Sequence, residues 1–80
     1  MFILSQDKKR LVNSDNVGGI SIEKMSETQY HNIDVYVWQI RAVLPSIGTI
    51  LAKYNSESEC QKKFDDLTSA LIFGDKFFQF

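Results

Sequence analysis

The run that decides the fold is Ile33-Asp34-Val35-Tyr36-Val37-Trp38-Gln39-Ile40-Arg41-Ala42-Val43-Leu44. Its β-branched and aromatic residues favour an extended chain, in which successive side chains point to opposite faces. One face carries Tyr36, Trp38, Ile40, Ala42 and Leu44, all apolar. The other carries Ile33, Val35, Val37 and Val43, interrupted in the middle by Gln39 and Arg41. That pattern belongs to an antiparallel sheet with one dry face and one partly wet one.

Working outward, Pro45, Ser46 and Gly48 supply a turn, since Pro suits the second position of a type I or II turn. Residues 49–54 return as a partner strand, with Ile50, Ala52 and Tyr54 alternating against Leu51 and Lys53. On the other side, residues 25–32 read as a polar connection without regular structure. Residues 17–24 read as a strand, with Ile20 and Ile22 on one face and Ser21 and Glu23 on the other. The pair Gly18-Gly19 weakens its start and marks a bulge or a close backbone approach. Residues 2–5 and 10–13 are two short β-prone runs around Gln6-Asp7-Lys8-Lys9, the pattern of a tight hairpin. Asn13-Ser14-Asp15-Asn16 is a turn cluster, because these side chains bond nearby backbone groups.

Beyond the last strand, Ser56-Glu57-Ser58-Glu59 forms a capping box, in which the Ser56 hydroxyl accepts from the third helical amide. Cys60, Phe64, Leu67 and Leu71 then recur at helical spacing as one apolar stripe. Lys62, Lys63, Asp65, Asp66 and Ser69 cover the opposite side, with Lys62 and Asp66 spaced for a surface ion pair. Gly74, just after Phe73, is the left-handed residue expected past a helix end. The chain closes on Lys76-Phe77-Phe78-Gln79-Phe80, too apolar to hang free in water. The expected fold is therefore α+β in one domain, residues 1–80. It is an antiparallel β-meander of about four to five strands with one C-terminal amphipathic helix packed on one face. A short hydrophobic C-terminal tail or strand completes it.

Composition narrows the function classes. The 80 residues hold 9 Lys and Arg against 10 Asp and Glu, a net charge of −1, which argues against nucleic-acid binding by bulk charge. A single Cys60 forms no intrachain disulfide, and with a single His31 it cannot furnish a zinc cage, so no metal and no cofactor are expected. No apolar segment approaches the roughly 18 residues a membrane helix requires, and the first residues do not form a signal peptide. A cytoplasmic location follows as the expectation. Aromatics are the unusual component, with six Phe, three Tyr and one Trp at 12%.

Few residues carry chemistry. Arg41 and Gln39, a planar donor fork beside an amide, suit a phosphate or carboxylate held over a sheet; the alternative is an ordinary solvated face. Trp38 with Tyr36 offers a stacking platform, although both share the apolar face and read first as core. Tyr30 and His31 lie in the polar connection, where no partner completes an acid–base or nucleophile constellation. Lys8, Lys9 and Arg10 form a charged hairpin tip, a candidate phosphate contact that reads first as a solvated turn because Asp7 sits beside it and no aromatic interleaves. Cys60, on the apolar stripe, reads as a small buried hydrophobe. No catalytic residue is expected, and the chain is read as a non-enzyme. Phe73, Phe77, Phe78 and Phe80 stand apart, as either a completed core or a surface for self-association.

The opening Phe2-Ile3-Leu4-Ser5-Gln6-Asp7-Lys8-Lys9-Arg10-Leu11-Val12-Asn13, followed by Asp15-Asn16-Val17, resembles a group of small uncharacterised proteins of Gram-positive bacteria and their phages. Gly48, Leu51 and Tyr54, then Ser56 and Glu59, match the Gly-x-x-Leu-x-x-Tyr strand and acidic-capped helix of that group. The resemblance covers about two-thirds of the chain and implies a bacterial or phage source, with no catalytic residues to carry over. The expected function is a small binding or interaction module working as a homo-oligomer. In a phage, such a module would block a host protein or sequester a host signal. The alternative is a small-ligand binder with a nucleotide held between subunits by Arg41, Gln39, Trp38, Tyr30 and His31.

Overall fold

A computed structural model of the chain describes residues 1–30, 33–43 and 48–80. Its elements are β1 (Phe2–Leu4), β2 (Leu11–Asn13), β3 (Gly19–Tyr30), β4 (Ile33–Val43), β5 (Gly48–Tyr54), α1 (Glu57–Ile72) and β6 (Phe77–Gln79). A single 3-10 turn, Ser14–Asn16, follows β2, with the Asn13 side chain accepting from Asp15 N at 3.0 Å. The fold is α+β: an antiparallel β3-β4-β5 meander, and one C-terminal helix packed on it. The N-terminal hairpin forms, but in a sheet of its own, ordered β2-β1-β6. The hydrophobic tail supplies β6, parallel to β1, with Phe2 beside Phe77 and Ile3 beside Phe78.

The polar stretch after Met25 is strand rather than loop: β3 runs on to Tyr30 and pairs with β4 as far as Tyr30 opposite Ile33. Backbone hydrogen bonds to a neighbouring strand need no apolar side chains, so the polar residues Ser26, Thr28 and Gln29 can still extend the ladder. A register shift between Ser26 and Thr28 inserts one extra residue there. His31 and Asn32, and the turn expected around Pro45 and Ser46, lie outside the described residues.

In β5 the expected alternation breaks. Ile40 pairs with Ala52 and Arg41 with Ile50, so Leu51 is the extra residue of a bulge. Leu51 and Ala52, adjacent in sequence, are consequently both buried. The free edge of β5 is closed by Gln6, whose N–H donates to Leu51 O at 2.8 Å and whose Oε1 accepts from Lys53 N at 2.9 Å. Covering an edge in this way removes a template for unwanted pairing.

Helix α1 begins as its capping box specifies, with Ser56 Oγ accepting from Glu59 N at 3.4 Å. It ends in a Schellman motif: Gly74, at φ +73°, donates to Leu71 O, and Asp75 N donates to Ala70 O. Cys60 and Leu67 of the stripe are buried and Phe64 packs partly, but Leu71 is 43% exposed and Ala70 takes its place in the interior. The core joins Ile3 and Val12 of the small sheet, Ile40, Ala42, Leu51 and Ala52 of the large one, and Cys60 and Leu67 of α1. Cys60 has no solvent exposure, and burial pushes its thiol pKa up, as an unreactive core cysteine requires. Burial likewise raises the Tyr54 hydroxyl, with the neighbouring Cys60, Glu59 and Asp66 adding to it.

Candidate functional site

Because β4 alternates, Ile40 and Ala42 enter the core with Trp38 packed partly against it, while Gln39 and Arg41 face the other way. Gln39 and Arg41 therefore stand together on the outer face of the large sheet, two residues apart. Gln39 is buried and Arg41 half-buried. Arg41 Nη1 lies 3.6 Å from Glu23 Oε2 on β3. On the β5 side its guanidinium runs over Gly48, whose missing side chain leaves the space it occupies.

An open cleft of about 550 Å³ lies over this face. Its walls include Arg41, Gln39, Met25, Ile50 and Lys53 of the sheet, and Gln6, Asp7 and Arg10 of the hairpin loop. The loop is held rigidly in place. Ser5, buried at 1% exposure, donates from Oγ to Asp7 Oδ1 at 2.5 Å and accepts from Arg10 N at 3.1 Å. Asp7 Oδ1 also accepts from Lys9 N at 2.9 Å, while Lys8 closes the turn at φ 62° by donating to Ser5 O. The Ser5 hydroxyl first, then the Lys9 amide, hold the Asp7 carboxyl below its ordinary pKa.

Of the residues expected to touch a ligand, Arg41 and Gln39 are brought together and Trp38 is not. Trp38 points to the opposite face and packs partly against the core, which is the preferred sequence reading. Tyr36, on that same face, is 39% exposed, and the Lys24 ammonium stands 4.3 Å from its ring centroid and 5.7 Å from that of Trp38. The side chain of Tyr30, and His31 altogether, lie outside the described residues. Gln6 and Lys53 were not expected at a site, and Arg10 was read first as part of a solvated turn. No local spacing joins the first hairpin to β5, so only the docking of Gln6 on the β5 edge reveals them.

The four candidate interface residues divide. Phe78 and Phe80 pack against the core and meet edge to face, with centroids 5.0 Å apart. Phe73 is 82% exposed and Phe77 53%. Phe2, beside Phe77 in the small sheet, is also exposed, as are Ile72 and Leu11. Phe2 and Leu71 line one shallow cleft between the small sheet and the helix end.

Among the described residues no three His, Cys, Asp or Glu side chains are grouped to hold a metal ion. No helix among them is long and apolar enough to cross a membrane. No family model, curated protein or solved structure matches the chain.

Proposed function

We propose that this chain is a non-enzymatic binding module that works as a homo-oligomer in the cytoplasm. The observation that carries this reading is the apolar surface left uncovered on the small sheet and the helix end. Phe2, Phe77, Ile72 and Phe73 are each half to four-fifths exposed there. Leu11 and Leu71 are exposed as well, and Phe2 and Leu71 line one cleft between the small sheet and the helix end. A second copy of the chain is a fitting cover, because a two-fold contact brings the same patch to itself. If the chain comes from a phage, a module of this kind suits blocking a host protein or sequestering a small host signal.

Light scattering across a concentration series tests the reading. The chain is expected to run as a dimer or larger at micromolar concentration, and Phe73→Ser with Phe77→Ser to run as a folded monomer. A wild-type chain that stays monomeric at high concentration would overturn it.

A second reading, a small-ligand binder for a nucleotide, is favoured by one observation of its own. The outer-face cleft gathers Arg41, Gln39, Arg10 and Lys53 within a volume that suits a small molecule.

A further inference from the structure

We infer that the second copy docks on the free edge of β6, antiparallel about a two-fold axis through Phe78. The small sheets of the two copies then join into one continuous sheet, running β2-β1-β6 and on into the partner's β6-β1-β2. This rests on the self-association proposed above and names the strand edge that carries it. The other sheet edges are guarded against pairing. That of β5 is closed by Gln6, and that of β3 carries Glu23, Lys24 and the register shift between Ser26 and Thr28. β2 follows the consecutive cations Lys8, Lys9 and Arg10 and runs straight into the 3-10 turn. β6 instead follows the balanced pair Asp75-Lys76, and Phe77-Phe78-Gln79 itself holds neither charge, proline nor bulge.

The hydrogen bonds of β6 show which of its groups are left over. Phe2 N donates to Lys76 O at 2.9 Å, and Phe80 N donates to Leu4 O at 3.3 Å. With Phe2 beside Phe77 and Leu4 beside Gln79, Phe78 between them is the strand residue whose backbone turns to β1. Backbone groups alternate sides along a strand, so the N–H and C=O of Phe77 and Gln79 point away from β1. Among the described residues nothing pairs with those groups. They flank Phe78 symmetrically, and that symmetry selects a second copy as the occupant. A half-turn about Phe78 sets Phe77 opposite the partner's Gln79, each donating to the other and accepting from it. Phe78 meets the partner's Phe78 at the axis as the closer, non-hydrogen-bonded pair. The two Phe77 rings become diagonal neighbours on the outer face, within reach of each other. Phe77 is 53% exposed in the single chain, so the pairing covers apolar surface as well as backbone.

Light scattering and amide hydrogen exchange over a wide concentration series test the edge, with Gln79→Pro and Gln79→Ser as variants. Proline at 79 removes only an outward N–H, since Phe78 and Phe80 supply those that reach β1, and serine keeps it. Where the chain is dimeric, the Phe77 and Gln79 amides are expected to exchange about tenfold or more slower than in dilute solution. The outward Leu11 amide of β2 is expected to keep its rate. Gln79→Pro is expected to raise the dimer dissociation constant about tenfold or more, through the loss of one hydrogen bond from each copy. Gln79→Ser is expected to dimerise like wild type. A dimer whose Phe77 and Gln79 amides exchange at unchanged rates overturns the edge and leaves the apolar face as the interface. A folded Gln79→Pro chain that dimerises like wild type does the same. A chain monomeric at every concentration overturns the self-association reading itself. Should proline unfold the chain, the exchange rates of the unaltered chain decide alone.

Discussion

The Arg41 guanidinium rests where a side chain at position 48 would be. A Cβ built on Gly48 meets Arg41 Nη2 at 2.7 Å and Cζ at 2.9 Å. Arg41 pairs with Ile50 across the ladder, and Gly48, two residues earlier, is its diagonal neighbour on the same face. Glycine is there to admit the arginine. The atoms in the way belong to the far end of a flexible side chain, so Gly48→Ala is expected to displace the guanidinium and leave the fold within about 0.5 kcal/mol of wild type. Urea unfolding measures the stability, and the Arg41 Nε–Hε resonance reports the displacement. A loss above about 2 kcal/mol would mean that the backbone, not the arginine, needs the glycine.

Within α1, Leu67 and Leu71 share one stripe in sequence but not one environment: Leu67 is 1% exposed and Leu71 43%. Leu67→Ala is expected to cost about 2–5 kcal/mol, by lost transfer free energy and the cavity left behind, and to approach the whole stability of so small a domain. Leu71→Ala should cost about 1 kcal/mol or less, since much of that side chain already meets water. Thermal melts of the two variants provide the check, and equal losses would contradict the burial difference.

That contrast shows how far sequence reaches. The period-two pattern of residues 33–43 and the capping box at Ser56 both act through neighbours along the chain, so both were legible, as was the Gly74 stop. The extension of β3 to Tyr30 was not, because its side chains are polar and its stability comes from backbone pairing with β4. The bulge at Leu51 was hidden for a related reason: it shifts one residue between faces without any change in composition. Arg41 and Gln39 could be placed on one face from parity alone. Arg10 joins them only because Gln6 binds the edge of β5, a contact between distant segments that no local pattern encodes. Phe77 and Phe78 are chemically identical, and only the pairing of β6 with β1 decides which one faces in.

The hairpin loop makes the fold sensitive to acid. The Asp7 carboxyl is held below its ordinary value by the Ser5 hydroxyl and the Lys9 amide. A carboxyl depressed in the folded state stabilises above its unfolded pKa of about 3.9, and that contribution disappears as pH falls through the folded value. Nuclear magnetic resonance titration should therefore find Asp7 titrating below its ordinary range. Ser5→Ala should bring it back up and flatten the acid limb of the stability curve. The same variant leaves the Arg10 amide without its acceptor, a part-buried hydrogen bond worth about 0.5–1.5 kcal/mol. An Asp7 that titrates identically in both chains would show that the hydroxyl is not the cause.

Phe77 and Phe78 give the sharpest separation of fold from interface. Phe78 packs against the core and meets Phe80 edge to face, whereas Phe77 is 53% exposed beside Phe2. Truncation of Phe78 to Ala removes partly buried ring surface and an aromatic pair, at an expected cost of about 2–3 kcal/mol at any protein concentration. Phe77→Ala should cost under about 1 kcal/mol in dilute solution, where one exposed ring has little to lose. At high concentration the balance changes, since self-association stabilises the folded chain by mass action and Phe77→Ala removes part of the surface that associates. Urea unfolding of both variants, repeated over a hundredfold range of concentration, should give a gap from wild type that widens with concentration for Phe77→Ala and stays fixed for Phe78→Ala. A fixed and equally large gap for both would make Phe77 a core residue and remove the patch on which self-association depends.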